Sequence, residues 1–299
     1  MVDEPQIPVG DVLVPFIFDG HAVRGAICSV DSGIAEMLGH RDYPPALAQL
    51  IGEALAAMPL MATHLKSAGR INMQFQGGKQ LQLLVAQVDQ NLQIRGTAKF
   101  GEDLPGSFAQ MLAGGTLALI LEPKTGNQHY QAIVPIEGDK LSESLQGYFR
   151  QSEQLDTRLL LAASEHRLAG LLLQRLPGAE QADDDYWQHL GALLDTLHED
   201  ELMAEPAQTI LQRLFHGEAL RVFEPRPITL RCQCDHASIS AMLVNLGRAE
   251  LQPVLEERGE VEVICEFCGK AYNYNPAEIE TLLEGADAAP DPGSDQPRH

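Results

Sequence analysis

The placement of the cysteines constrains this chain more than any other feature. The sequence holds five cysteines in 299 residues, and four of them lie in its last quarter. Cys232 and Cys234 are one residue apart, Cys265 and Cys268 are two residues apart, and residues 235–264 separate the pairs. In a reducing compartment, clustered thiols more often bind metal or respond to oxidants than form structural disulfides. The pattern therefore predicts a small module that is organised by its sulfur atoms.

All four thiols can reach a single metal ion. Cys232 and Cys234 lie in an extended stretch, where side chains two residues apart point to the same face. Cys265 to Gly269 has the form of a zinc knuckle, in which a tight turn brings two thiolates to one ion. Four thiolates make a closed, structural site, and such binding supplies about 10–16 kcal/mol in apparent terms. We therefore predict one zinc ion held by Cys232, Cys234, Cys265 and Cys268 in the reduced state.

Other interpretations of these cysteines stay open at this level. They are four unrelated free thiols, a purely structural zinc site, and a thioredoxin-like exchange site at Cys265 and Cys268. An exchange site needs its nucleophile at a helix N-terminus in a βαβ unit, whereas residues 260–275 predict strand, turn and strand. A redox switch is favoured, because each pair is close enough to form a short local disulfide, and the tight Cys-x-Cys ring of Cys232 and Cys234 should be strained and easily reduced. Oxidation would then eject the metal and remove the free energy that folds the module.

The charge of the chain limits its partners. It has 42 acidic and 21 basic residues, and the net charge of −21 repels nucleic-acid phosphates and anionic lipid surfaces. The first ten residues lack the basic start and apolar run of a signal peptide. We also expect no apolar segment long enough to span a bilayer. We therefore expect a cytoplasmic protein that binds neither nucleic acid nor membranes.

The residue pattern along the chain predicts an α+β fold. Turn residues between apolar runs predict four hairpins, and apolar residues at helical spacing predict two long helices. Three of the hairpins are centred on Asp19-Gly20, Asp89-Gln90-Asn91 and Thr125-Gly126-Asn127. The fourth hairpin spans residues 157–178. The two helices cover residues 44–69 and 139–155. Antiparallel hairpins with interspersed helices indicate an N-terminal antiparallel-sheet domain with helices over residues 1–177.

Residues 178–230 are predicted to form a helical acidic linker. This segment and Arg231 together hold eleven acidic and four basic residues, yet apolar residues recur at helical spacing. In the run Asp183–Asp185, which we assign to a solvated helix start, Asp185 is the predicted N-cap, and Pro206 suits the first turn of a second helix. Short helices are marginal alone in water. We therefore expect the linker to be folded when it is docked on the first domain and loose when it is not.

Residues 231–285 are predicted to form a small C-terminal zinc-binding module. Two short helices are expected, divided at Gly247 and ended by Gly259, followed by strand, turn and strand. A last short helix has Asn275 as its N-cap and Glu278 in position to complete a capping box. A module of this size has little core of its own and needs a staple, which the thiols supply.

A few other residues complete the sequence-based assignment. Cys28 lies in a predicted strand and is expected to be a buried, inert thiol. His236 is an alternative metal ligand, but the four cysteines already fill a tetrahedral site. Residues 286–299 have the composition of a disordered tail. We find no phosphate-loop spacing and no catalytic triad, and we predict no enzyme.

The residues also resemble a known family. Five segments are similar to those of the 33 kDa chaperonin, the redox-regulated heat-shock chaperone of bacteria. They are Gly39–Pro44, Tyr148–Leu159, Gly170–Gly178, Arg231–Cys234 and Ile264–Tyr274. The resemblance covers nearly the whole chain, with agreement in length, acidity and domain order. One departure is Asp235-His236, where relatives often carry Ser and Arg, and it leaves the ligand set intact.

The resemblance implies an ATP-independent holdase whose reduced, zinc-bound form is inactive. Oxidation with unfolding stress would release zinc, form the disulfides Cys232–Cys234 and Cys265–Cys268, unfold the linker and expose a surface for unfolded or aggregation-prone client proteins. We also expect that the oxidised form can form a homodimer. The alternative from another class is a regulatory or adaptor protein with a purely structural zinc module, and a thiol oxidoreductase is the third interpretation.

Overall fold

A computed structural model of the protein describes residues 7–63, 69–123, 129–177 and 182–287. The chain divides into two compact units, Met1–Arg231 and Cys232–His299. The described residues contain ten helices and fourteen strands, and the strands pair almost entirely in antiparallel fashion. The predicted α+β class is therefore confirmed. The predicted turn at Thr125–Asn127 and residues 288–299 of the predicted tail lie outside the described residues.

The first sheet of the N-terminal unit is antiparallel. Its strands are β1 (Val12–Phe18), β2 (Val23–Val30), β8 (Thr157–Ala163), β9 (Leu168–Arg175), β10 (Leu220–Val222) and β11 (Arg226–Pro227). The strand order is β10-β1-β2-β9-β8, and β11 also pairs with β1. The hairpins predicted at Asp19-Gly20 and over residues 157–178 are confirmed as β1–β2 and β8–β9.

The second sheet of this unit has six strands. They are β3 (Gly69–Gln76), β4 (Leu81–Asp89), β5 (Gln93–Phe100), β6 (Thr116–Pro123), β7 (Tyr130–Val134) and β12 (Thr229–Leu230). The order is β12-β5-β4-β3-β6-β7, with β12 parallel to β5 and every other pair antiparallel. The hairpin predicted around Asp89 is confirmed, and the Asp89 carboxylate closes its turn by accepting bonds from the backbone N–H groups of Asn91 and Gln93.

Helix α2 is the centre of the first unit. The helices of the core are α1 (Ile34–Leu38), α2 (Pro45–Ala62), α3 (Phe108–Met111) and α4 (Leu141–Tyr148), which a π-helical turn continues to Glu153. Strands of both sheets pack against α2, and thirteen of its eighteen residues are buried. Its length and composition would suffice to cross a membrane, so our expectation that no segment is long enough was wrong. A helix enclosed by two sheets is apolar on all sides because all its sides face apolar groups, as those of a membrane-spanning helix do.

The linker helices lie on the other face of the first sheet. They are α5 (Ala182–Leu194), α6 (Glu199–Ala204) and α7 (Ala207–Leu214). Their apolar side chains form one cluster with those of the sheet. Its buried members include Phe16, Phe18, Leu171, Leu173, Leu190, Leu194, Ile210, Leu211 and Phe215. Helices this short are only marginally stable alone in water. Here their apolar side chains are covered within the first unit, which stabilises them.

Two details of the linker differ from the prediction. Asp185 is not an N-cap, because α5 already begins at Ala182 and Asp185 lies inside its first turns. Pro206 stands just before α7, at the cap position, instead of inside the first turn. The end of the predicted helical linker is extended, because Pro225 and Pro227 oppose a helix and distant strands supply partners.

The C-terminal unit contains three helices and one hairpin. They are α8 (His236–Leu246), α9 (Arg248–Arg258), β13 (Val261–Ile264), β14 (Ala271–Tyr274) and α10 (Pro276–Asp287). Gly247 separates α8 from α9, and Gly259 ends α9 at a φ of 77°. The capping box is present, with Asn275 Oδ1 accepting from the Glu278 N–H at 3.0 Å and Glu278 Oε2 accepting from the Asn275 N–H at 2.9 Å. These predicted elements are confirmed.

Candidate metal centre

Four sulfur atoms meet at one point of the C-terminal unit. The Sγ atoms of Cys232, Cys234, Cys265 and Cys268 all lie within 4.8 Å of one another. The Cys232–Cys265 and Cys234–Cys268 sulfur separations are 3.5 and 3.4 Å. In a tetrahedral site with zinc–sulfur bonds of about 2.3 Å, the sulfurs are separated by about 3.8 Å. The donor set and its spacing therefore fit a metal ion bound by four thiolates.

The hairpin of β13 and β14 places two of the sulfurs. The Cys265 N–H donates to the Lys270 carbonyl at 2.9 Å, and the Gly269 N–H donates to the Cys265 carbonyl at 2.8 Å. Gly269 has a φ of 69°, in the left-handed region that favours glycine. These bonds form a tight turn that brings Cys265 and Cys268 together, as the knuckle pattern predicts.

An extended stretch just before α8 supplies the other two sulfurs. Cys232 and Cys234 lie outside any strand or helix, and Asp235 ends the stretch as the N-cap of α8. Its carboxylate accepts a bond from the Ser238 N–H at 2.7 Å. The departure from the family pattern at Asp235 therefore has a structural role, because it fixes where the helix begins directly after Cys234.

The core around the sulfurs is small. Nine residues of this unit form one buried cluster, and Cys265 itself is among them with 9% exposure. The other three cysteines are partly buried and pack against the cluster. Residues this few bury little apolar surface, so the sulfurs must contribute much of the order of the unit.

The four thiols differ in their electrostatics. Burial raises the pKa of Cys232 well above its ordinary value, and burial, reinforced by a hydrogen bond with Cys234, raises that of Cys268. Burial also opposes the ionisation of Cys234, but its interactions with the Tyr272 hydroxyl and with the other three thiols outweigh burial and lower its pKa. The lowered pKa of Cys234 favours the charged form that metals and oxidants require.

Tyr272 is a neighbour of this site that the sequence-based reasoning missed. Its side chain is buried, and its hydroxyl has no hydrogen-bond partner of ordinary geometry among the described residues. The interaction of this hydroxyl with the Cys234 sulfur raises the pKa of Tyr272. A donor that supports a ligand from outside the metal sphere tunes the ligand's charge. Strand alternation would have placed Tyr272 on the same side as the buried Tyr274, although not at a particular sulfur.

Comparison with known proteins identifies the family of the chain. The family model described as Hsp33 protein matches residues 11–275. The chain belongs to the Hsp33 family. The 33 kDa chaperonin of Methylobacillus flagellatus is 38% identical over 278 residues, which cover 92% of this chain and 95% of the relative. That of Nitrosococcus oceani is 38% identical over 281 residues, which cover 94% and 96%.

A solved structure supports the fold of this Hsp33 family member. The crystal structure of the 33 kDa chaperonin from Thermotoga maritima matches with a TM-score of 0.79 at 21% identity, covering 93% of this chain and all of that chain. The resemblance stated from the sequence is thus confirmed. The protein belongs to a family of chaperones, and chaperonins are not enzymes.

The remaining candidate residues lie outside the sulfur cluster. The His236 ring packs edge-on against Tyr272 and Tyr274, with centroids 5.1 and 5.7 Å away, and His236 is not part of the group that can hold a metal ion. Cys28 is 1% exposed, its thiol lies 3.3 Å from the Ala56 carbonyl, and burial raises its pKa to about 12. This thiol is buried, as predicted.

Proposed function

We propose that this protein is a redox-regulated, ATP-independent holdase that binds unfolded proteins when it is oxidised. The observation that carries the proposal is the gathering of four thiols into a closed site, in a unit whose own core is small. The chain enters that unit directly from a segment that covers the first sheet. Family membership supports the chaperone activity.

In the reduced state the four thiolates would hold one zinc ion. Zinc bound there would link the extended stretch that contains Cys232 and Cys234 to the β13–β14 hairpin. The buried Cys265 anchors the cluster to the small core, and the Tyr272 hydroxyl supports the thiolate of Cys234. The module would depend on this link for much of its stability.

Oxidation would remove the sulfur donors in pairs. One thiolate attacks peroxide and, with one proton from solvent, becomes a sulfenic acid while one water leaves. The second thiolate of the pair attacks this sulfur and, with a second proton from solvent, the disulfide forms while a second water leaves. Each pair of thiolates thus loses two electrons, and one peroxide with two protons becomes two waters. We propose the pairs Cys232–Cys234 and Cys265–Cys268 on the family resemblance, because all four sulfurs are close and distance alone selects no pairing.

Loss of the link would reach the linker through the chain itself. Cys232 follows β12 after one residue, Arg231. A module that loses its order no longer restrains this end of the linker. Departure of α5 to α7 would expose the apolar face of the first sheet around Phe16, Phe18 and Leu171, which is at present covered. We propose this face as a client-binding surface, because a holdase needs exposed apolar area.

The cell compartment and the assembly state are part of the same proposal. We propose that the protein works in the cytoplasm, where reducing conditions keep thiols reduced until an oxidant appears. We also propose that the oxidised form can pair into a homodimer. The net charge of −21 would keep such an exposed apolar surface soluble and away from nucleic acid.

The test follows zinc content and client aggregation together through one cycle of peroxide oxidation and thiol reduction, without nucleotide. We expect zinc to leave and aggregation of a thermally unfolding client to stop on oxidation, with both effects reversed by reduction. Cys265→Ser should lose zinc, while the matched control Cys28→Ser should keep it. If oxidised protein in excess leaves aggregation unchanged while zinc stays bound, the protein is instead a regulator or adaptor with a structural zinc module.

A further inference from the structure

The last part of the linker closes the outer edge of the first sheet. Residues 219–231, here called the covering segment, run antiparallel to β1 through β10 and β11. The Asp19 N–H donates to the Ala219 carbonyl at 2.8 Å. The Phe223 N–H donates to the Pro15 carbonyl at 2.9 Å, and the Ile228 N–H donates to the Asp11 carbonyl at 3.0 Å. The covering segment therefore pairs with both ends of β1, through Leu220–Val222 and through Arg226–Pro227.

The same segment then closes the edge of the second sheet. Its strand β12 lies parallel to β5, with the Thr229 N–H donating to the Leu92 carbonyl and the Arg231 N–H to the Ile94 carbonyl, both at 3.1 Å. One stretch of thirteen residues thus occupies the outer edges of both sheets. These edges are occupied by linker residues, and not by residues of the core domain.

Without the covering segment, β1 would be an exposed apolar edge strand, which proteins normally avoid. Its seven residues, Val12–Phe18, include no charged side chain, and five of them are buried. Its one proline, Pro15, has no N–H, but its carbonyl accepts a bond from the Phe223 N–H. A long, apolar edge strand is a template for pairing with another chain. At the opposite end of the second sheet, β7 has only five residues, of which Tyr130, Gln131 and Ile133 are exposed, and Pro135 follows it. A short edge strand is a poor template.

The covering segment indicates which polypeptide these edges accept. Leu220 and Val222 are partly buried and Ile228 and Leu230 are buried, at 3% and 6% exposure, whereas the intervening Thr229 is exposed. This alternation is that of a strand with one apolar face. Two prolines within the segment keep it extended and disfavour a helix.

We propose that the outer edges of β1 and β5 are strand-addition sites for extended, alternately apolar segments of unfolded polypeptides, and that the covering segment keeps both edges closed until the linker is released. This inference rests on the proposed holdase function and specifies how a client is held. Main-chain hydrogen bonds would supply affinity for many sequences, and the adjacent apolar face would select for apolar side chains.

The test uses the covering segment as a free peptide, ALRVFEPRPITLR, against the oxidised full-length protein. One variant carries N-methyl groups at Phe223 and Ile228, whose N–H groups face β1. The matched control carries them at Leu220 and Val222. In the docked chain the Leu220 N–H donates to the Glu218 carbonyl. The Val222 N–H points away from β1, because successive N–H groups of a strand point to opposite sides. The readout is the peptide concentration that releases a bound client, together with amide exchange in β1, β5 and β7.

We expect the plain peptide and the control to displace client equally, and the Phe223/Ile228 variant to be about tenfold weaker, because two main-chain bonds are lost. Amide exchange in β1 and β5 should rise on oxidation and fall again with client, while β7 stays unchanged. If oxidised protein prevents aggregation but all three peptides compete equally, or none competes, strand addition is wrong and the holdase proposal stands. If oxidised protein never prevents aggregation, the holdase proposal itself is wrong.

Discussion

The two units of this molecule bury their apolar side chains by different means. In the first unit, α2 is enclosed by two sheets and thirteen of its residues are buried. In the second, only nine buried residues form the core; Cys265 is one of them, and the other three cysteines of the sulfur cluster pack against it. The first therefore has a core sufficient for its size, whereas we propose that the second depends on a metal cross-link that oxidation can remove.

The linker combines features of both units. Its helices pack on the first sheet and share a cluster with Phe16 and Phe18. Its C-terminal end leads through Arg231 directly into the second unit, which begins at Cys232. Under the proposed function, the first unit without its linker would be the permanent part of the structure, and the linker and the second unit would be the conditional part. The linker helices cover apolar surface of the first sheet.

Metal removal should produce the largest difference in stability between the two units. We expect a chelator to unfold residues 232–287 of the reduced protein while the two sheets keep their amide protection. Zinc binding of this kind supplies about 10–16 kcal/mol in apparent terms, which is as much as the whole stability of an ordinary domain. Residue-resolved amide exchange before and after chelation measures this. Metal-free protein whose second unit stays protected would contradict the contrast between the units.

Phe215→Ala should show whether the linker can leave while the second unit stays intact. Phe215 is 3% exposed, and its ring lies 5.0 Å from that of Phe18 and 5.8 Å from that of Phe16. Its removal should cost about 3–5 kcal/mol, enough to loosen α7 without oxidation. We expect the reduced variant to keep its zinc and to suppress client aggregation. The control Phe223→Ala, at a position that is 44% exposed, should remain inactive when reduced.

Glu53 should make the first unit sensitive to pH. Burial on α2 raises its pKa from 4.5 to about 7, the Gln49 hydrogen bond opposes this, and the charge of Glu199 adds to it. Because the folded pKa is the higher one, the stability present below pH 4.5 is lost as the pH rises through about 7. Glu53→Gln should therefore stabilise the first unit at pH 8, on the order of 1–3 kcal/mol, and not at pH 4.

Urea unfolding of the first unit at the two pH values measures the effect of Glu53. The matched control is Glu165→Gln, at an exposed position in the turn between β8 and β9. We expect this control to leave the pH dependence of unfolding unchanged. Equal pH profiles for Glu53→Gln and the parent protein would show that the carboxyl is solvated and costs nothing.

The capping box of α10 should give the smallest effect, confined to the second unit. Asn275→Ala removes the acceptor for the Glu278 N–H and should cost about 1 kcal/mol. Because the core of this unit is small, we expect a lower melting temperature for the second unit and faster zinc loss to a chelator, with the first unit unaffected. The control is Asn273→Ala, at an exposed position of β14. A similar loss from both variants would indicate that the cap contributes nothing specific.

Local patterns in the sequence were sufficient for most of the elements and for the residues of the candidate site. Asp19-Gly20 marks a hairpin, Asn275 and Glu278 mark a helix start, and the spacing around Cys265 marks a knuckle. Each of these depends on residues within a few positions of one another. The N-cap assigned to Asp185 failed because the acidic run continues a helix that begins earlier, at Ala182.

The sequence by itself determined which residues carry sulfur, where the turns fall and that the fold is α+β, because these depend on short-range preferences of the chain. Only the tertiary structure decided that residues 219–231 pair with β1 and β5, since Phe223 finds its partner at Pro15, far away along the chain. It also decided that Tyr272 lies near Cys234 and helps to lower the pKa of that thiol. Edge pairing and local charge depend on which distant groups meet, and no local pattern records that.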